Sequence, residues 1–151
     1  MLEHDFENSV GFWTIMAAES FRRELNQELA PHGITYRQCQ VLGSLALESP
    51  LSQAVLAERM HIEPPTLVGI LDRMERDGWV RRKSCPEDRR KKLVSPLKGV
   101  EPVWKKILAC GRRVRQRATV GLTTDELATL QRLLDRVRHN LDHEKITREA
   151  G

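Results

Sequence analysis

Apolar positions recur every three or four residues over most of this chain, the period of one helix face. From about Phe6 to Leu29, the residues Val10, Trp13, Ala17, Phe21, Leu25 and Leu29 form such a stripe and predict a long amphipathic helix, ended by Pro31-His32-Gly33. Thr35 and Gln38 then stand at the spacing of a capping box, where each side chain satisfies the other's free backbone N–H, and predict a second helix to about Leu47. Ser52 caps a short third helix ending near Met60, with Leu51 and Leu56 in the two positions of a hydrophobic staple. Glu63-Pro64-Pro65-Thr66 starts a fourth helix, because proline is tolerated where first-turn N–H groups lack partners anyway. Its inward stripe is Leu67, Ile70, Leu71 and Met74, and Gly78 stands where a left-handed cap is wanted.

The period then changes. Trp79-Val80-Arg81-Arg82-Lys83 and Lys91-Lys92-Leu93-Val94 flank a turn-forming Cys85-Pro86-Glu87-Asp88-Arg89-Arg90, which predicts a hairpin as the only β segment. Ser95-Pro96 offers a start for a fifth helix, although Gly99 and Pro102 delay it to about Glu101. Thr123 and Glu126 form a second capping box, opening a sixth helix with the stripe Leu127, Leu130, Leu134, Val137 and Leu141. The fold class is mostly α with a small β-hairpin wing. It reads as a winged helix-turn-helix lobe, residues 34–96, flanked by helical regions at 6–31 and 97–145.

Composition narrows the setting. A chain of 151 residues with 40% hydrophobic and 30% charged residues suits one ordinary soluble core and neither a disordered tail nor a membrane bundle. No apolar run approaches the ~20 residues that span a bilayer, so no membrane partner is expected. The start Met1-Leu2-Glu3-His4-Asp5-Phe6-Glu7 is acidic where a signal peptide would be basic. Cys39, Cys85 and Cys110 are odd in number, widely spaced and form no CxxC pair, which indicates neither a disulfide framework nor a zinc ribbon. A cytoplasmic location is expected, without a cofactor.

The net charge of +4 is modest but concentrated. Residues 81–92 carry seven basic side chains against Glu87 and Asp88, a local +5, whereas the remainder has 18 basic and 19 acidic residues. Such a patch on a nearly neutral body attracts a polyanion, most commonly nucleic acid. The arrangement places the fourth helix as the one inserted into a major groove, which at ~12 Å accepts a helix. Its outward face carries Pro65, Thr66, Val68, Gly69 and Arg73, of which Thr66 and Arg73 are the best-placed polar side chains. Arg82 and Lys83 are candidate DNA contacts, Lys83 to phosphate, and the hairpin tip carries Arg89 and Arg90 toward an adjacent minor groove. Asp88 is wrong for phosphate and right for orienting an arginine or accepting from a backbone donor.

The stretches Ile62-Glu63-Pro64-Pro65-Thr66-Leu67-Val68, Leu71-Asp72-Arg73-Met74-Glu75-Arg76-Asp77-Gly78-Trp79-Val80 and Asp88-Arg89-Arg90 resemble the MarR family of bacterial transcription regulators, in pattern most its SlyA-type branch. The similarity runs from about residue 8 to residue 143. It implies an obligate homodimer on pseudo-palindromic promoter DNA, with Arg90 in the minor groove and Asp88 orienting it. It also implies a crevice between dimer helices and lobe that accepts a small aromatic carboxylate or phenolic effector. Two departures stand out. Gly69 replaces a base-reading arginine frequent in relatives, which shifts specificity toward the wing, and Ser95-Pro96-Leu97-Lys98-Gly99 replaces a Leu-Thr-x-x-Gly, with Ser95 as substitute cap. Dimerisation also follows from the surplus apolar stripes of the terminal helices, which a small winged lobe does not need for itself.

Cys85, expected exposed among cations, offers a redox-sensing regulator as an alternative function, whereas Cys39 and Cys110 read as small core hydrophobes. His139 and His143 at i, i+4, near Asp142 and Glu144, have metal-compatible spacing, but a cation near a helix C-terminus is explained by the dipole. Trp13, Met16 and Trp104 are candidates to line an effector crevice as well as to pack a core or interface. No HExxH, GxSxG, Walker or GxGxxG motif is present, so the chain is not expected to be an enzyme. A winged-helix protein-interaction module is the remaining rival, and the basic wing disfavours it.

Overall fold

Ser9 sets the start of the first helix, because its hydroxyl accepts the N–H of Phe12 at 3.2 Å and supplies the cap. The expected start near Phe6 is therefore corrected to Val10; Phe6 instead packs its ring on Phe12 with centroids 5.3 Å apart. The computed structural model describes residues 6–149, with side chains to residue 142. In chain order these form α1 (Val10–Leu29), α2 (Tyr36–Leu47), β1 (Leu51–Ser52), α3 (Gln53–Arg59), α4 (Pro64–Arg76), β2 (Val80–Ser84), β3 (Lys92–Pro96), α5 (Glu101–Ala118) and α6 (Thr124–Glu149), with short 3-10 turns at Ala30–His32 and Lys98–Val100. They divide into two compact units, one ending at Val114 and one beginning at Arg115.

The first unit holds the core. Leu29, Leu56, Leu67, Leu71, Met74, Val80 and Val94 are fully buried, and each such side chain contributes roughly 1.5–3 kcal/mol relative to remaining exposed. The stripe expected on α4, Leu67-Ile70-Leu71-Met74, is the buried one. Both halves of the capping box form at α2, with the Gln38 N–H donating to Thr35 Oγ1 at 3.2 Å and the Thr35 N–H to Gln38 Oε1 at 2.9 Å. Ser52 caps α3 by accepting the Val55 N–H at 3.2 Å. Arg37 reaches from α2 to donate to the Met60 carbonyl at 3.3 Å, closing the far end of α3, and Arg59 pairs with Glu48.

The sheet has three antiparallel strands in the order β1-β3-β2, one more than the hairpin expected. Leu51 and Ser52 pair with Val94 and Leu93, an association between positions about forty residues apart that no local period announces. Ser95 and Pro96 belong to β3, opposite Arg81 and Val80, so Ser95 is not a helix cap; its hydroxyl accepts from Arg81 Nε at 3.2 Å. The turn Lys98–Val100 precedes α5, which begins at Glu101 as the two weakened turns suggested.

In the second unit Thr123 and Glu126 close the capping box before α6, with the Thr123 N–H donating to Glu126 Oε2 at 2.8 Å and the Glu126 N–H to Thr123 Oγ1 at 3.3 Å. The Thr123 backbone N–H, and after it the Thr123 hydroxyl donating to Oε2 at 3.0 Å, hold the Glu126 carboxyl below its ordinary range. No helix among the described residues is long and apolar enough to cross a membrane.

Candidate nucleic-acid interface

α4 buries one face and exposes the other. Pro65, Thr66, Gly69 and Arg73 are exposed, and Val68 is 37% exposed. A Cβ added at Gly69 would meet nothing within 4 Å, so the centre of this face is open space. Arg73 folds back along the helix, its Nε donating to the Gly69 carbonyl at 3.3 Å. Glu63 is the N-cap but makes no side-chain capping bond, and Pro64 and Pro65 occupy the first turn.

The hairpin carries the cations. Lys83 is exposed on β2, and Arg89 and Arg90 are exposed in the turn that follows the last strand pair, Ser84 with Lys92. The Arg90 side chain is 93% exposed, yet it is not free to wander: Asp88 Oδ1 accepts from its backbone N–H at 3.0 Å and from its Nε at 3.3 Å. Lys92 Nζ donates to Ser84 Oγ at 2.8 Å across the hairpin. A shallow cleft of about 190 Å³ separates Ser52, Gln53 and Ala54 from Arg90, Lys91 and Lys92.

Arg82 is placed differently from its neighbours. Along β2 it alternates with the exposed Arg81 and Lys83 and turns toward α4, where Asp72 and Glu75 wait. Glu75 accepts from the Arg82 backbone N–H at 2.8 Å, from Nε at 3.1 Å and from Nη2 at 2.7 Å, and Asp72 Oδ1 accepts from Nη2 at 2.6 Å. The guanidinium and the backbone N–H of Arg82 hold the Glu75 carboxyl below its ordinary range, and the carboxylates raise the guanidinium in turn. The role of Asp72 and Glu75 escaped sequence reasoning. Its only signal is two acids at i, i+3 on the helix, followed across a glycine turn by an arginine.

Of the crevice candidates, only Trp104 lines a cavity of about 340 Å³ in the first unit, with Leu42, Leu45, Leu97, Lys98 and Glu101. Trp13 is 58% exposed, with its indole N–H donating to the Glu7 carbonyl at 2.9 Å. Met16 borders a separate groove with Phe6, Phe12 and Ile15. The three are thus not brought to one site, because Trp13 and Met16 lie in the exposed N-terminal half of α1.

Cys85 is buried, only 8% exposed, against the exposure expected. Its N–H donates to the Lys91 carbonyl at 2.9 Å, which closes the wing turn over the thiol, and Glu87 Oε2 lies 3.4 Å from Sγ. Burial, with Cys110 as a smaller influence, pushes the Cys39 thiol up to about 11. The Cys110 thiol is fully buried and reaches the Glu28 carbonyl at 3.4 Å. His139 Nδ1 lies 2.9 Å from the Asp135 carbonyl; the side chain of His143 is outside the described residues. Among the described residues no group of three or more His, Cys, Asp or Glu side chains is arranged to hold a metal ion.

Comparison with known proteins places this geometry. The profile described as the MarR family matches residues 32–91, from the turn before α2 through the wing turn. The crystal structure of wild-type MarR from E. coli in its apo form is similar at 31% identity over 90% of this chain and 98% of that one, with a TM-score of 0.77. A mutant of the same E. coli protein complexed with operator DNA is similar at 32% identity over 85% and 92% of the two chains, with a TM-score of 0.73. A MarR family regulator from Rhodococcus sp. RHA1 shares the fold at a TM-score of 0.80, with 21% identity over 89% and 96%. On the combination of a winged lobe, an Asp88-Arg90 wing tip and these similarities over nearly its full length, the chain belongs to the MarR family of transcriptional regulators.

Proposed function

We propose that the protein is a homodimeric, DNA-binding transcription regulator that recognises pseudo-palindromic promoter sites. In this reading α4 enters the major groove and the wing enters the minor groove. The observation that carries it is the Asp88-Arg90 pair: an arginine 93% exposed at the tip of a +5 hairpin, whose backbone N–H and Nε both donate to the Asp88 carboxylate. Guanidinium suits a narrow minor groove, where the negative potential is enhanced. The E. coli relative complexed with operator DNA supports DNA as the partner. With Gly69 leaving the centre of α4 empty, more of the specificity falls to the wing.

A second copy is supported by apolar side chains left open on the terminal helices, Val10, Trp13 and Phe21 on α1 and Leu130, Leu134 and Leu141 on α6. Two copies would set recognition helices roughly 34 Å apart, for half-sites about 10 base pairs from centre to centre. The cavity beside Trp104 is mostly apolar, with Lys98 and Glu101 both on its wall, and suits a small aromatic or phenolic effector that would bias the lobe between DNA-fitting and non-fitting arrangements. The SlyA-type likeness is part of this proposal and rests on the motifs of α4 and the wing.

The test is a fluorescence-anisotropy titration of the purified protein against its own upstream intergenic DNA and a scrambled duplex, at several salt concentrations, with and without salicylate. Binding that prefers the native duplex and weakens linearly in log–log salt is expected. Absence of binding to either duplex would turn the assignment to a protein-interaction module.

A further inference from the structure

We propose that Arg82 is a positioning residue, which ties the wing to α4 so that Arg90 and the recognition helix engage DNA together, and is not itself a phosphate contact. This rests on the DNA-binding reading above and reassigns one residue that its sequence places among the basic contacts.

The geometry favours a strap for three reasons. First, Arg82 is 21% exposed at its side chain, the least of the wing's paired arginines, and its Nε and Nη2 are spent on Glu75 and Asp72. Second, the charge count is wrong for phosphate: one guanidinium faces two carboxylates, a local −1 that would repel an approaching anion. Third, the bonds join β2 to α4 directly, beside the core packing in which Val80 is buried with Leu71 and Met74. Glu75 takes a backbone N–H of β2 as well as the guanidinium, so it sets the strand's height along α4 as well as its distance.

The wing tip inherits this placement. Arg82 pairs with Val94 in β3, and β2 and β3 run together from there to Ser84 and Lys92, beyond which Arg90 sits. A small rotation of β2 on α4 about the buried Val80 would therefore swing Arg90 relative to α4. A dimer that must satisfy two recognition helices and two wings on one duplex tolerates little of such rotation, because a misplaced contact on specific DNA is lost while nonspecific phosphate attraction survives.

The test uses the full-length protein and a duplex selected from a random pool by the wild type, beside its scrambled version. Arg82→Gln, Glu75→Gln, Arg90→Ala and the Arg82→Gln/Arg90→Ala double variant are compared by anisotropy over a salt series. For Arg82→Gln, a loss of preference for the selected duplex of about tenfold is expected, with the salt slope on scrambled DNA unchanged. Arg90→Ala should cost at least about tenfold in the wild type and clearly less in the Arg82→Gln background, the coupling of two sites that act through one another.

Glu75→Gln separates the readings by sign. It keeps the Arg82 charge while weakening the strap, so a positioning role gives a loss like that of Arg82→Gln, whereas a phosphate contact would be freed and binding would hold or tighten. A salt slope reduced by about one in Arg82→Gln, with both duplexes weakened alike, would overturn the proposal in favour of a phosphate contact. Additive effects of Arg82→Gln and Arg90→Ala would overturn it in favour of a purely structural bond. Failure of the random pool to yield any preferred duplex would remove the DNA-binding reading itself, and the strap's function with it.

Discussion

Asp88 and Arg90 are joined twice, the Asp88 Oδ1 accepting from both the backbone N–H and the Nε of Arg90 at 3.0 and 3.3 Å. The backbone bond closes the turn and the side-chain bond aims the guanidinium, so one carboxylate couples wing conformation to arginine direction. Arg90→Ala is expected to weaken specific binding by ~1–3 kcal/mol. Asp88→Ala should cost less, about 1 kcal/mol, because the cation remains but samples more directions. Anisotropy titrations on the preferred duplex check both, and an Asp88→Ala variant that binds as well as wild type would remove the orienting role.

Lys83 sits one residue from Arg82 with the opposite outlook, exposed and pointing away from the carboxylates of α4. A single ammonium on a flexible stem suits phosphate and carries no base information. Lys83→Ala is therefore expected to weaken selected and scrambled duplexes by the same factor and to lower the salt slope by about one. A loss confined to the selected duplex would contradict that role.

What was legible in the sequence was local. The two capping boxes at Thr35-Gln38 and Thr123-Glu126, the α4 stripe and the Gly78 cap depend on residues within one or two turns of each other, and all four form. What was not legible depends on distant partners. β1 is two residues long and exists only because Val94 and Leu93 lie beside it. Cys85 reads as exposed because its neighbours in sequence are charged, whereas the wing turn, across which its N–H meets the Lys91 carbonyl, leaves it only 8% exposed. Arg82 looked like one more cation of the patch; only the placement of β2 against α4 shows which of three consecutive basic residues meets Asp72 and Glu75.

The same strap predicts a pH dependence. Glu75 has its pKa lowered from the ordinary 4.5, first by the Arg82 side-chain hydrogen bond and then by the Arg82 backbone N–H. A depressed carboxyl stabilises the fold fully above its unfolded value, and that contribution disappears as pH falls through the lower folded value. Arg82→Gln should therefore be less stable than wild type at neutral pH, with the gap narrowing as pH drops below 4.5. Urea denaturation between pH 7 and pH 3 measures it. A gap that stays constant or widens toward acid would show that the ion pair is not what stabilises this junction.

α3 and α4 end in the same way but with different residues. After α4 the Gly78 N–H donates to the Glu75 carbonyl at 3.1 Å and the Trp79 N–H to the Met74 carbonyl at 2.9 Å; after α3 the His61 N–H donates to Glu58 at 3.0 Å and the Ile62 N–H to Ala57 at 3.1 Å. Both are Schellman ends, which need a left-handed residue, and φ is +73° at Gly78 and +49° at His61. A side chain in that region costs roughly 1–2 kcal/mol, while glycine gives back about 0.4–1 kcal/mol through a more disordered unfolded chain. His61→Gly is thus expected to stabilise the protein by up to about 1 kcal/mol, and Gly78→Ala to destabilise it by up to about 1 kcal/mol. Because His61 lies in the turn that sets α4 against α3, its strain acts at the joint of the helix-turn-helix. Paired urea midpoints decide the matter: a His61→Gly variant less stable than wild type would mean that the imidazole makes a contribution larger than the strain it carries.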